Sequence, residues 1–278
     1  MSSRSPGFRG VSVVVMLSAC AVGLAAAQLN PETISAWTAY VTATESRIAR
    51  ELASRRGFLA VDFVRNAAVE RRDVLAGGVI VEKMETADAE GRKIDVPSAL
   101  VHHWRGAVFI PNTTVAEIVS QLESGITPRQ EDVLQSSVLE RGPGRLKIYL
   151  KLQRKKFVTV VYNTEHTVSF ARHDGARASS SSTATKIAEL ANPNTADERE
   201  LSMDDDRGFL WRLNAYWRYE EVAGGVIAEC ESISLSREVP SVVRYLVSPL
   251  VESTAKESMV RTLRTLRTHF AKAERPSY

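Results

Sequence analysis

Apolar positions recur along this chain with two periods, and the switch between them marks its elements. Asn30-Pro31-Glu32 supplies a capping amide, a first-turn proline and an acid at the positive end of a helix dipole. Ile34, Trp37, Val41, Ile48 and Leu52 follow at helical spacing up to Gly57. The spacing predicts an N-terminal helix with Trp37 as a packing anchor. After Arg71-Arg72-Asp73 the period shortens. Val79-Ile80-Val81 runs into Glu82-Lys83-Met84, Asp88 to Gly91 supplies a turn, and Val101 to Phe109 reads as a second strand. Pro111-Asn112 stops it, and Thr113 or Thr114 can cap a short helix through Ile118, Val119 and Leu122. A second short helical turn is expected from Thr127 to Glu131.

Strands then follow at 133–140, 145–153, 157–170, 176–189, 208–220 and 226–236. Gly142-Pro143-Gly144, Asp174-Gly175 and Val222-Ala223-Gly224-Gly225 are the turns, and Asn192 to Arg207 is a polar loop. The serines at 179–182 continue into Thr183-Ala184-Thr185-Lys186-Ile187, which reads as an exposed strand rather than a linker. A final helix is expected from Ser248-Pro249 to about Phe270.

Side-chain parity is most informative in strands 208–220 and 226–236. Phe209, Trp211, Leu213, Ala215, Trp217 and Tyr219 share one face, and Arg212, Asn214 and Arg218 the other. A Val222–Gly225 loop pairs Glu221 with Val226, which sets Trp217 against Cys230, Tyr219 against Ala228 and Arg218 against Glu229. Large rings then face Ala228, Cys230, Ser232 and Ser234. Either a helix packs closely into that space, or it covers the sheet and leaves an apolar pocket. Met259, Leu263, Leu266 and Phe270 form the matching stripe on the final helix, each contributing roughly 1.5–3 kcal/mol when buried. Arg261 and Arg264 point the other way, toward solvent or a peripheral contact with anionic headgroups.

Composition narrows the function classes. With 44% hydrophobic and 25% charged residues in 278, the chain is neither fibrous, disordered nor polytopic. A formal charge of +3 gives no basis for nucleic-acid binding. Arg4 and Arg9, the apolar run from Val11 to Leu24 and Ala25-Ala26-Ala27 read as a signal peptide over residues 1–27. Its removal lowers the charge to +1, and implies a periplasmic or secreted protein. The alternative is a lipoprotein anchored through Cys20, since Leu17-Ser18-Ala19-Cys20 fits a lipidation box. Cys20 and Cys230 are the only cysteines, so neither a disulfide framework nor a cysteine zinc site is expected.

From residue 101 the order is one strand, two short helices, six further antiparallel strands and a long helix. With it come His103-Trp104-Arg105-Gly106, Val108-Phe109-Ile110-Pro111 and Leu210-Trp211-Arg212-Leu213-Asn214. Tyr216-Trp217-Arg218-Tyr219-Glu220-Glu221, Gly224-Gly225-Val226, Glu229 to Arg237 and Val239-Pro240 continue the pattern. Over about residues 100–272 the chain resembles the START and Bet v 1-like (SRPBCC) superfamily, and exported bacterial START-like proteins within it. The resemblance implies an α+β helix-grip fold at 74–278: a curved antiparallel sheet of about seven strands wrapped around a long C-terminal helix. A helical segment at 28–73, carrying an extra N-terminal helix, precedes it. The resemblance also implies a cavity between sheet and last helix for a lipid, sterol, quinone or polyketide. Some members of the superfamily are enzymes.

Catalytic patterns are sparse. G-x-S-x-G, H-E-x-x-H, P-loop and G-x-G-x-x-G motifs are absent. Ser253-Thr254-Ala255-Lys256 matches S-x-x-K without its partner motifs. His102 and His103 point to opposite faces of a strand, and His166, His173 and His269 lack ligand spacing. Glu229 and Glu231 read as a surface pair opposite Arg218, and Cys230 as a small buried apolar residue. The expected function is an exported carrier of a hydrophobic, lipid-like ligand, without metal or cofactor. Trp104, Trp211, Leu213, Trp217, Tyr219, Cys230, Met259 and Leu263 are its candidate lining residues. The alternatives are a cyclase- or aromatase-like enzyme using the same cavity, and a ligand-free interaction module docking a partner on helix 30–54.

Overall fold

A computed structural model describes residues 29–271 except 127, 156–158, 203–204 and 239–240, with backbone alone at 241–252 and 254. The predicted signal peptide, Cys20 and Thr127 lie outside the described residues.

The N-terminal segment comprises helix α1 (Pro31–Leu52), a 3-10 turn (Ala60–Phe63) and α2 (Ala67–Leu75). Strands β1 (Val79–Lys83) and β2 (Ala99–Pro111) follow, then α3 (Val115–Glu123). Next come β3 (Val133–Gly142), β4 (Arg145–Lys155), β5 (Thr159–Arg172), β6 (Arg177–Ala191) and the short β7 (Arg199–Glu200). Last are β8 (Arg212–Val222), β9 (Gly225–Arg237) and α4 (Ser241–Phe270). The helix starts are chemically marked. Asn30 Oδ1 accepts from the Thr33 amide at 2.7 Å, and Thr114 and Glu117 cap α3 reciprocally.

One antiparallel sheet runs β1-β2-β9-β8-β6-β5-β4-β3, with β7 beside β6. It curves around α4 as a helix-grip fold. The β8–β9 register matches the sequence expectation: Glu221 pairs with Val226, Arg218 with Glu229 and Trp217 with Cys230. The turn is tighter than a four-residue loop, because Val222 and Gly225 also pair and Gly224 takes a left-handed φ of 84°.

On the inner face, Trp104, Val108, Ala178, Tyr219, Ala228 and Cys230 pack with α3 and with Met259, Leu263, Leu266 and Phe270 of α4. Gly106 permits this approach. A Cβ there would stand 2.6 Å from Leu263 Cδ1 and 2.9 Å from the Ile80 carbonyl. On the outer face, Trp37, Tyr40 and Ile48 of α1 pack against Trp211, Tyr216, Ile233 and Leu235. Phe58, Leu59, Val61 and Val74 cover Ala107 and Ile227 beside them.

Several expectations are corrected. Residues 128–130 are not helical, and a turn at Glu131-Asp132 leads into β3. The last helix begins at Ser241, so Pro249 lies inside it rather than at its start. The polar loop at 192–207 contains β7. The serine block is a strand, but Ser180 is buried rather than exposed. Strand β8 begins at Arg212, not at residue 208. Gly208 has a φ of 70°, and the bend that follows carries Phe209 out to solvent and Trp211 to the outer cluster. Trp211 is therefore not on the inner face with Trp217 and Tyr219.

Candidate functional site

The strongest contrast lies between the two faces of β8 and β9. The outward residues Asn214, Tyr216, Arg218, Ile233 and Leu235 are buried under the N-terminal segment. The inward residues Leu213, Ala215, Trp217, Ser232 and Ser234 are only half-buried. This reverses the expected arrangement, in which Asn214 and Arg218 faced solvent. Alternation would place them in water if nothing crossed that face, but α1 and the 58–61 segment do cross it.

Trp104, Tyr219, Cys230, Met259 and Leu263 pack against one another where α4 leans on β2. Trp217 stacks on Tyr219, with centroids 6.1 Å apart and planes 1° from parallel, and is itself half-buried. Leu213 is half-buried on the same face of β8. The half-open surface continues across paired strands through Ser182 and Ala184 of β6, Val168 of β5, and Ile148 and Leu150 of β4.

At the base of this surface is a polar group that sequence reasoning passed over. His166 and Thr164 are inward residues of β5, 4% and 0% exposed. The Thr164 hydroxyl donates to the Leu150 carbonyl at 3.0 Å, so its oxygen accepts from His166 Nε2 at 3.0 Å. The proton on Nε2 leaves Nδ1 as an acceptor, facing Ser182 Oγ at 3.5 Å. Burial pushes the imidazole down to about 4, so it is neutral at physiological pH. The available signal was parity: Thr164, His166 and Phe170 share a face, as do Ser180 and Ser182. Ligand spacing alone gave no reason to select His166.

The outer face carries a buried charge network. Tyr40 OH accepts from the Thr86 amide and therefore donates to His103 Nδ1 at 2.9 Å, while His103 Nε2 donates to Glu231 at 2.7 Å. Arg47 also binds Glu231. Burial would raise the Glu231 carboxyl, but the His103 hydrogen bond and the Arg47 charge outweigh it and hold it low. Glu229 accepts from the Ala60 and Val61 amides at 2.6 and 2.9 Å, and burial holds its carboxyl above the usual range. Glu229 and Glu231 are thus no surface pair; they are 1% and 3% exposed. The Tyr40–His103–Glu231 chain has the order of a proton relay, but His103 is 1% exposed and its ring nitrogens are both engaged. This arrangement holds α1 to the sheet.

His102 points inward and bonds Ser236, opposite to His103. Burial raises the Cys230 thiol well above its normal value, which disfavours a thiolate there. A wide groove of about 1000 Å3 lies between Ile126, Arg129 and Glu131 and the side of α4 bearing Lys256, Arg261 and Arg264. It contains none of the eight candidate lining residues, and Arg261 is tied there to Asp132 at 3.2 Å. Among the described residues, no cluster of three or more His, Cys, Asp or Glu can hold a metal, and no helix is long and apolar enough to cross a membrane.

No protein-family model matches the chain. No curated protein matches it either. Solved structures are similar in arrangement. A STAR-related lipid transfer protein fragment from Xanthomonas axonopodis is 18% identical, covering 68% of this chain and 98% of that one, with a TM-score of 0.44. A START superfamily protein from Mycobacterium smegmatis is 8% identical over 62% and 96%, with a TM-score of 0.38. The Zhui aromatase/cyclase of a Streptomyces species is 10% identical over 61% and 93%, with a TM-score of 0.36. At these values the likenesses carry no functional information. The chain's own strand order and its terminal helix on the inner face of one curved sheet give it the helix-grip fold, the arrangement implied by its resemblance to the START and Bet v 1-like superfamily.

Proposed function

We propose that the protein binds an apolar, lipid-like small molecule on the inner face of β4, β5, β6, β8 and β9, beneath α4, and acts as an exported carrier. The half-burial of Leu213, Ala215 and Trp217, beside fully sealed outward neighbours, carries this reading. A sheet ordinarily seals its apolar face, so a half-open stretch with an aromatic wall is surface available to a ligand. The basic-then-apolar start over residues 1–27 supports export.

The enzyme alternative needs an inward acid or base matched to neutral pH. His166, lowered to about 4, is a weak base, and burial drives the Tyr219 hydroxyl upward, making it a weaker acid. Both shifts favour binding over proton transfer. Native mass spectrometry and organic extraction of the purified protein test the proposal. A co-purifying apolar molecule, or uptake from a panel of lipids, sterols and quinones, is the expected result. Empty protein that takes up none of them contradicts it.

A further inference from the structure

The middle of the inner sheet face, around His166, lacks charge. There the inward positions are Leu146, Ile148, Leu150 and Leu152 on β4 and Tyr162, Thr164, His166, Val168 and Phe170 on β5. Beside them on β6 lie Ala178, Ser180, Ser182 and Ala184, and from Leu213 to Tyr219 on β8 and Ala228 to Ser234 on β9 the inward residues are apolar, aromatic, serine or cysteine. The charged inward positions lie at the strand ends and are engaged there: Arg154 with Asp132, Arg172 with Glu123, Glu189 with Arg207, and Glu221 with the Val115 amide. Arg218, Glu229 and Glu231 are turned outward, away from this stretch. A ligand head placed beside His166 meets no counter-charge, and burying an ion without one is costly.

Hydrogen bonding then selects among neutral heads. His166 spends its one proton on Thr164, whose own proton goes to Leu150. What remains unspent is the Nδ1 lone pair, with Ser182 Oγ at a distance too long for a full hydrogen bond. A buried acceptor with so weak a donor favours an incoming O–H. Resting on the apolar-ligand reading above, we infer that His166 and Ser182 form the head subsite for a neutral hydroxyl group. The imidazole Nδ1 accepts from the ligand hydroxyl, whose oxygen accepts from Ser182. The ligand class is an apolar alcohol, not a fatty acid anion or a phospholipid.

Titration of the purified protein with 1-dodecanol, its methyl ether and dodecanoate tests this. Dodecanol is expected to bind about tenfold more tightly than the ether, the value of one buried hydrogen bond. Dodecanoate is expected to bind more weakly still. In His166→Phe the preference for alcohol over ether disappears while ether affinity is retained. If that variant does not fold, histidine 15N spectra of the unaltered protein serve instead, with the His166 Nδ1 resonance shifting on dodecanol and not on ether. Equal binding of alcohol and ether, or tight binding of dodecanoate, overturns the hydroxyl subsite but leaves the apolar-ligand reading intact. Failure of all three probes to bind the inner face overturns both.

Discussion

Arg218 Nη2, on the outer face of β8, lies 2.6 Å from Glu51 Oε2 at the end of α1, and both groups are largely shielded from water. The same guanidinium donates to the Phe58 carbonyl at 3.0 Å. One arginine therefore ties two parts of the N-terminal segment to the sheet. Losing one partner of such a pair leaves the other charge buried without compensation, at about 3–5 kcal/mol. Glu51→Ala is expected to lower stability by about that amount, measured by urea unfolding. Proteolysis should then cut between α1 and the 3-10 turn. An unchanged midpoint would show that α1 is held by its apolar contacts alone.

Gly106 sets the distance between α4 and the sheet. Its absent Cβ would strike the Ile80 carbonyl, a backbone atom with little freedom to move, as well as Leu263. Gly106→Ala is expected to destabilise by about 1–3 kcal/mol through overpacking. Combining it with Leu263→Ala should cost less than the sum of the two changes, because they share a contact. Strict additivity in a double-mutant cycle would contradict this packing.

Core and site make different demands on neighbouring residues. Leu263 is fully buried, so Leu263→Ala is expected to cost about 2–5 kcal/mol of stability. Trp217 is half-buried, and Trp217→Ala should cost less stability but lower affinity for an apolar ligand about tenfold. Thermal melts with ligand titrations separate the two effects. A Trp217 variant that binds normally would remove this residue from the site.

His166 couples stability to pH. Its imidazole is neutral in the folded chain down to about 4, whereas in the unfolded chain it protonates below about 6.5. The unfolded state therefore binds more protons between those values. The contribution is complete above about pH 6.5 and is lost as pH falls toward 4, by about 3 kcal/mol in all. His166→Phe has no such proton to gain. The stability advantage of wild type over this variant should shrink by roughly 1.4 kcal/mol per pH unit in that window. A pH-independent difference would mean the folded imidazole titrates normally.

The residues legible in the sequence are those whose neighbours are close in the chain. Trp217 opposite Cys230 follows from a short turn and a period of two. The stripe of Met259, Leu263, Leu266 and Phe270 follows from helical spacing, and all four are buried. Arg218, Glu229 and Glu231 look like a wet face because alternation reports only that two faces differ. What covers the charged face is α1 and residues 58–61, whose bonds to Arg218 and Glu229 span 160 to 169 positions of the chain. Trp211 fits the alternation but falls before the ladder, where the bend after Gly208 redirects it. His166 is hidden for a related reason. Its partner Thr164 is two residues away, but its burial leaves no mark on the local pattern.

The measurement that bears most directly on the binding surface is an NMR titration of the isotope-labelled protein with 1-dodecanol. Saturable shifts are expected at the Trp217 indole and at amides of His166, Ser182 and Leu213, with α1 unmoved. Shifts confined to the groove of Arg129, Lys256 and Arg264, or no saturable shift at all, would contradict a ligand on the inner face of the sheet.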